Sequence, residues 1–410
     1  MRTILLILCT LCVSCFLRAQ TNTERKAITI VPVADLLSQS LTARNTNTKT
    51  DLTYDSIPIS GQYENKACPR LHQLIYNETV TVLEEVGDEV KVNVPNHFCQ
   101  QEGSPLKQSN YWTAKKNIIT FDELKKLNIN QNSFPKPISY ANPNTSTKDT
   151  ITLGYPFKSD FMTFSAGTRF VKISKQSDNN AVSVYAFNPK SRKQEILVIP
   201  KNLIIPHHNK PHEKIDEYIK LIRSWAQTPQ GVIPYVWGGC SVISFCKNQP
   251  YVEKKDIDAH PFYSRTDRNK GVQNGLDCSG LILRGTQLCG IPYYYKNSTT
   301  LAKNLLPLKK NQAIENGDII WFPGHVIVVS DVKNNLVVEA RGYEHGYGIV
   351  QETPLNEQFK NIITYADLVK AFHEKRPLAR LNKSGEVVKT LTNYKILTLK
   401  SVWQLPKNNK

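Results

Sequence analysis

At 410 residues the chain exceeds one ordinary domain, and about 100–200 residues per domain predicts roughly two to four. Hydrophobic residues at 40% and charged residues at 21% match a soluble globular composition and exclude wholesale disorder, and no internal apolar run reaches the roughly 18 residues of a membrane-spanning helix. Lys and Arg number 52 against 35 Asp and Glu, a net charge of +17 that suits an anionic partner: nucleic acid, an anionic membrane or a cell-wall polymer.

Arg2 precedes an apolar run from Ile4 to Leu17, and Ala19-Gln20 follows. A charged start, an apolar core and a small residue at the cut predict a secretory signal over 1–19 and a secreted, periplasmic or cell-envelope location. Export disfavours nucleic acid and leaves an anionic envelope as the partner of the excess positive charge. Cys15 follows Val13-Ser14, which raises a lipid-anchored cysteine, although Cys12 stands where that signal wants Leu. Of nine cysteines, Cys9, Cys12 and Cys15 fall in the signal. In an oxidising compartment Cys68–Cys99 and Cys240–Cys246 are the natural pairs by proximity, with connectivity open, which leaves Cys278 and Cys289 as free thiols. No metal-ligand spacing is present, and no cofactor is expected.

Residues 20–50, polar with Thr-Asn-Thr repeats, read as a flexible leader. In 51–130, Glu78–Leu83 and Val90–Val94 alternate on either side of Gly87-Asp88, a hairpin signature. A linker rich in Asn, Thr, Ser and Pro (about 130–150) precedes a second β stretch at 150–206, with strands at Thr168–Ile173 and Ala181–Tyr185. Two small barrels, or unrelated β-hairpin extensions, fit these lengths. Beyond Pro211, Ile215, Tyr218, Ile219, Ile222 and Trp225 recur at helical spacing. A loop-like stretch at 247–275 leads to a helix starting at Cys278. Strands occupy about 317–352, and the extension 356–410 holds a short helix near Tyr365–His373.

The chemistry concentrates at Asp277-Cys278-Ser279-Gly280. Asp277 suits an N-cap, Gly290 a C-cap, and Pro292 stops the helix. Cys278 therefore sits in a first turn, where the dipole and exposed N–H groups favour thiolate and can bind an oxyanion. Cys289, three turns on, has neither advantage and reads as core. A base is needed, and His325 follows the turn Pro323-Gly324 at the start of the strand Val326–Val329. Glu339 interrupts the apolar strand Leu336–Ala340 and can orient the imidazole or face solvent, with His345 as competitor.

Together, Tyr235-Val236-Trp237-Gly238-Gly239, Asp277-Cys278-Ser279-Gly280-Leu281, Gly317-Asp318-Ile319-Ile320-Trp321-Phe322 and Gly324-His325-Val326 resemble the NlpC-like family of cell-wall cysteine peptidases over 210–355, and the upstream β stretches resemble bacterial SH3-like modules. The resemblance implies an α+β chain with a papain-like catalytic domain preceded by two small SH3-like β-barrels. It implies cleavage of the γ-D-glutamyl bond to diaminopimelate or lysine in peptidoglycan stem peptides or muropeptides, with Cys278 as nucleophile and His325 as base. Tyr235 would lie beside the thiol, and Asp277, Ser279 and Ser298 would contact substrate. The family's third residue is usually His, Asn or Gln, and Glu339 stands there. The stretch between Gly239 and Asp277, which carries Cys246, Asp256, Asp258 and His260, is longer than usual. Acidic residues Glu84, Glu85, Asp88 and Glu89 are candidates for gripping a peptide ammonium. Two other classes stay open: a wall-binding protein whose site is silent, and an acyltransferase using the same thiol.

Overall fold

A computed structural model describes residues 24–59, 61–63, 66–100, 106–139, 149–173, 180–227, 231–245, 274–342, 346 and 348–404. The segment 1–19 with Cys15, and Cys246, Asp256, Asp258, His260 and His345, lie outside them. No helix among the described residues is long and apolar enough to cross a membrane.

The N-terminal part is built on seven antiparallel strands: β1 (Arg25–Thr29), β2 (Val33–Leu37), β3 (Arg70–Ile75), β4 (Thr79–Val86), β5 (Glu89–Asn93), β6 (Asn110–Ala114) and β7 (Ile118–Thr120), in the order β7-β1-β4-β5-β6-β2-β3. The β4–β5 hairpin turns at Gly87-Asp88 as its alternation predicts, with Gly87 at φ +57°. The leader expected at 20–50 is instead part of this sheet. All five residues of β2 are buried, and helix α1 (Leu41–Thr48) follows, capped by Ser40. Asp35 in this strand is buried against Arg70, its Oδ1 accepting from Nε at 2.8 Å. That partner is distant in sequence, so local reading misses the pair.

Residues 150–206 form smaller two-stranded pieces, the longest pairing β8 (Ala181–Asn188) with β9 (Lys193–Pro200). Among the described residues no sheet closes into a barrel, so neither expected barrel is present as one. The Cys68–Cys99 bond is also absent. Cys68 is a free, buried thiol facing the Pro58 carbonyl at 3.6 Å, and Cys99 is a free thiol at 3.6 Å from the Tyr111 hydroxyl. Cys240 is free and fully buried beside the Gly280 carbonyl, and Cys289 is a buried core thiol as expected.

After the short helix α2 (Phe121–Lys126), the next helix is α3 (Pro211–Ala226), which starts on proline and buries Ile215, Tyr218, Ile219, Ile222 and Trp225, the residues its period selects. It packs on α4 (Cys278–Leu288), where Gly285 lies against the Tyr218 ring; a methyl there would come within 2.7 Å of it. A short helix α5 (Ser298–Asn304) leads to a five-stranded antiparallel sheet. Its strands are β10 (Ile319–Phe322), β11 (His325–Asp331), β12 (Leu336–Arg341), β13 (Ile349–Pro354) and β16 (Lys395–Leu397), in the order β13-β12-β11-β10-β16. Helix α6 (Tyr365–His373) and the hairpin β14 (Leu378–Leu381) and β15 (Val387–Leu391) lie between β13 and β16.

Both faces of the sheet are covered, which explains why its strands read as nearly continuous apolar runs. Ile319, Trp321, Val326, Val328, Val338 and Ala340 share a cluster with α3 and α4. Ile320, Phe322, Ile327, Val329 and Val337 join Leu368, Leu378, Tyr394 and Ile396 of the C-terminal segment. The extension at 356–410 is therefore half of the second core layer and one strand of the sheet. Ile396→Ala, at a fully buried position of β16, is expected to cost about 2–5 kcal/mol in urea denaturation. A loss within a few tenths of a kcal/mol would show that the sheet does not depend on this strand.

Candidate active site

Asp277 caps α4, accepting from the Gly280 N–H at 2.5 Å and from the Ser279 hydroxyl at 2.8 Å through Oδ1. Its Oδ2 accepts from Lys296 Nζ at 2.6 Å. Both carboxylate oxygens and the Ser279 hydroxyl are thus committed inside the protein, and both residues are buried. These bonds fix the helix tip. Gly280 is required because a side chain would run into the Gly239 carbonyl, and Gly238, at φ +71°, faces the Arg70 carbonyl, which a Cβ would approach to 2.6 Å. The Trp-Gly-Gly segment is therefore clamped between the catalytic helix and the N-terminal sheet.

Cys278 follows the cap. Its sulfur lies against the N–H groups of Ser279 and Val326, the second belonging to the residue after His325. Burial, and next the Asp277 charge, push the thiol up to about 12, while Lys296 and the two N–H groups pull the other way. The resting sulfur is a thiol, which corrects the expectation of a thiolate at the helix tip: desolvation outweighs the dipole here.

His325 shares a sheet face with Glu339, and a 2.8 Å hydrogen bond joins Nε2 to Oε2. Burial holds the imidazole below its usual value, against the pull of Glu339. Nε2 donates to the carboxylate, so the neutral ring keeps its lone pair on Nδ1. No hydrogen bond runs between this imidazole and the Cys278 sulfur in the resting structure; His325 bonds Glu339, and the sulfur meets the backbone beside it.

Glu339 has no solvent exposure. Burial would raise its carboxyl, but Arg380, His325 and Arg341 overcome this and hold it far below the usual carboxylate range. Arg380 Nη2 reaches Oε2 at 2.7 Å, Arg341 Nη1 lies 3.9 Å from Oε1, and Gln351 Nε2 donates to Oε1 at 3.4 Å. Arg380 comes from β14 and was missed in the sequence, where no spacing links it to Glu339. A lone arginine in an extension carries no local signal; only the need of a buried Glu339 for a cation pointed to one.

Tyr235 is half-buried, and its N–H donates to the Gly348 carbonyl at 2.7 Å. Burial, followed by the Cys278 and Asp277 charges, keeps it a neutral phenol and a hydrogen-bond donor beside the thiol. Ser298 opens α5, and its carbonyl accepts from Trp321 Nε1 at 2.8 Å, which ties this segment to β10. Three of the four acidic residues expected to grip an ammonium have neighbours of their own. Glu85 pairs with Arg25 at 2.6 Å and Lys115 at 2.5 Å, Glu84 lies 3.8 Å from Lys91, and Glu89 accepts from the N–H groups of Leu41 and Thr42 and the Tyr54 hydroxyl. Among the described residues no group of three or more His, Cys, Asp or Glu is placed to hold a metal.

A helix-tip thiol thus rests against the peptide that follows a neutral imidazole, and that imidazole is hydrogen-bonded to a buried carboxylate. Similar solved structures include an NlpC/P60 family protein from Bacillus cereus ATCC 10987, at 18% identity over 81% of this chain and 94% of that one, with a TM-score of 0.48. NlpC2 from Trichomonas vaginalis is similar at 12% identity over 82% and 93%, with a TM-score of 0.31. No family model and no curated protein matches the sequence. Overlap at this level leaves the reading of the site to its own geometry.

Glu339→Gln leaves Arg380 and Arg341 facing a neutral amide and is expected to cost about 3–5 kcal/mol near neutral pH. Because the folded carboxyl lies below its unfolded value of about 4.3, its stabilisation is complete above that pH and fades as the pH falls below it. Urea denaturation should show a constant gap between wild type and variant from about pH 6 to 8, closing below about pH 4. A gap that persists in acid means the charge is not what Glu339 contributes.

Proposed function

We propose that the chain is a cysteine peptidase of the cell wall, cutting the γ-D-glutamyl bond to the diamino acid in peptidoglycan stem peptides. One observation carries the reading: the Cys278 sulfur rests at a helix tip against the peptide following His325, whose imidazole is oriented by a buried, ionised Glu339. On substrate binding, Nδ1 of His325 closes on the thiol and takes its proton; hydrogen bonds of this kind tighten in the Michaelis complex. Glu339 stabilises the imidazolium so formed. The thiolate attacks the carbonyl, the helix N-terminus faces the developing oxyanion, and His325 returns the proton to the leaving amine. Water then hydrolyses the acyl-enzyme. Net charge of +17 suits an anionic wall, and export through the N-terminal segment would bring the enzyme there. The β-rich N-terminal part, in the SH3-like reading, would close one end of the cleft.

A second reading, a wall-binding protein with a silent site, is favoured by the missing hydrogen bond between imidazole and thiol. Incubation with defined tri- and tetrapeptides, with and without a free amino end, decides between them. Expected are release of the diamino acid fragment, total loss in Cys278→Ser, and a loss of about a hundredfold or more in kcat for Glu339→Ala. Undiminished turnover in Cys278→Ser would remove the thiol from the reaction. No release from any peptide, with Cys278 alkylated no faster than Cys240, would establish the silent site. A new amide or ester in place of a free fragment would mark an acyltransferase.

A further inference from the structure

Lys296 is an unusual residue to find in a core: the residue is 1% exposed, and among the described residues its close anionic partner is Asp277 at 2.6 Å. Asp277 in turn precedes the nucleophile and is held beside it by the helix cap. A buried carboxylate one residue from a thiol opposes ionisation of that thiol, and a cation in contact with the carboxylate cancels most of the opposition.

We propose that Lys296 is a positioning residue of the peptidase site, neutralising the Asp277 carboxylate so that Cys278 can ionise at its helix tip. The proposal rests on the peptidase reading. The surroundings leave Lys296 as the group suited to this. Around the sulfur stand Asp277 and Ser279 of its own helix, Tyr235, Tyr293, and the His325 strand. The two tyrosines stay neutral, both held up by burial. Around the ammonium stand His72, His97, Arg284, Cys240 and Cys99. His72 and His97, their rings tilted against each other with centroids 3.8 Å apart, are held uncharged by burial, with the Lys296 and Arg284 charges adding to this. Arg284 is engaged by Glu78 at 2.7 Å and the Cys240 carbonyl, and Arg70 by Asp35. Lys296 alone among these cations touches Asp277.

The test is the pH dependence of Cys278 alkylation by iodoacetamide, read by peptide mapping so that the other thiols do not contribute. Asp277→Asn, which keeps a good helix cap, should lower the pH midpoint. Lys296→Met should raise it, slowing alkylation at neutral pH about tenfold for each unit of rise. The double variant, with neither charge, should return toward wild type. Opposite shifts from the two single changes cannot come from loosened packing, which would move all variants the same way. An unshifted midpoint in Asp277→Asn, or a double variant as slow as Lys296→Met, overturns the proposal. Should Lys296→Met not fold, Asp277→Asn and the double variant still decide, the first falling below wild type and the second lying above the first. Alkylation needs no substrate, so failure to cleave stem peptides with these shifts intact would remove the peptidase reading and keep the electrostatic one.

Discussion

A carboxylate with no contact to water must be surrounded by cations and donors or it will not stay charged, and Glu339 meets that demand from three directions. His325 lies on the neighbouring strand, Arg341 two residues along its own, and Arg380 beyond the sheet in the C-terminal segment. Its charge makes the base, the sheet and the extension one unit. A neutral orienting group would need no Arg380, although the C-terminal segment would still fill half of the second core layer. With a glutamate, the extension must fold over the sheet, and Ile396 and Leu378 supply the apolar surface that holds it there.

Two buried carboxylates act on the site in opposite senses. Glu339 favours a proton on His325 once transfer has occurred, whereas Asp277 disfavours negative charge on Cys278. Burial disfavours both charged forms, so the resting pair is thiol and neutral imidazole. In the peptidase reading the separated charges would arise only when substrate brings imidazole and sulfur together, where their attraction in a dry site is large. Such an arrangement guards a reactive cysteine from indiscriminate chemistry, because a thiol is a poor nucleophile until its base is engaged.

How much of this was legible beforehand depended on whether the cause was local. The α3 period, the Asp277 cap, the Gly87-Asp88 hairpin and the helix at Tyr365–His373 are set by neighbours within a turn or two, and the structure has them where the residues put them. His325 and Glu339 come together because two short strands, adjacent in sequence, pair. Misreadings arose where the deciding partner was remote. Thr-Asn repeats at 45–48 resembled a leader, but β2 is buried by strands more than thirty residues away, with Arg70 answering Asp35. Cys68 and Cys99 are near in sequence, yet they face a carbonyl and a hydroxyl rather than each other. Arg380 and Lys296 show no pattern at all until the carboxylate each one answers is located.

Remote partners also determine how the N-terminal half relates to the site. Arg70 is wholly buried and donates to Asp35, to the Pro58 and Ile57 carbonyls and, across the junction, to the Trp237 carbonyl at 3.1 Å. Gln73 accepts from the Cys240 N–H and the Ser241 hydroxyl, and Arg284 of the catalytic helix reaches back to Glu78. Interfaces between domains often allow relative motion, but parting these surfaces would strand buried guanidinium groups and amides without partners. A swinging tether is therefore the wrong picture for the described N-terminal sheet. Half-exposed Trp237 stands on the segment this junction fixes, its ring against Gly61 and its backbone N–H donating to the Ile59 carbonyl. The N-terminal sheet thereby sets the backbone two residues from Tyr235, and any change that loosens the junction must reach the thiol through that segment.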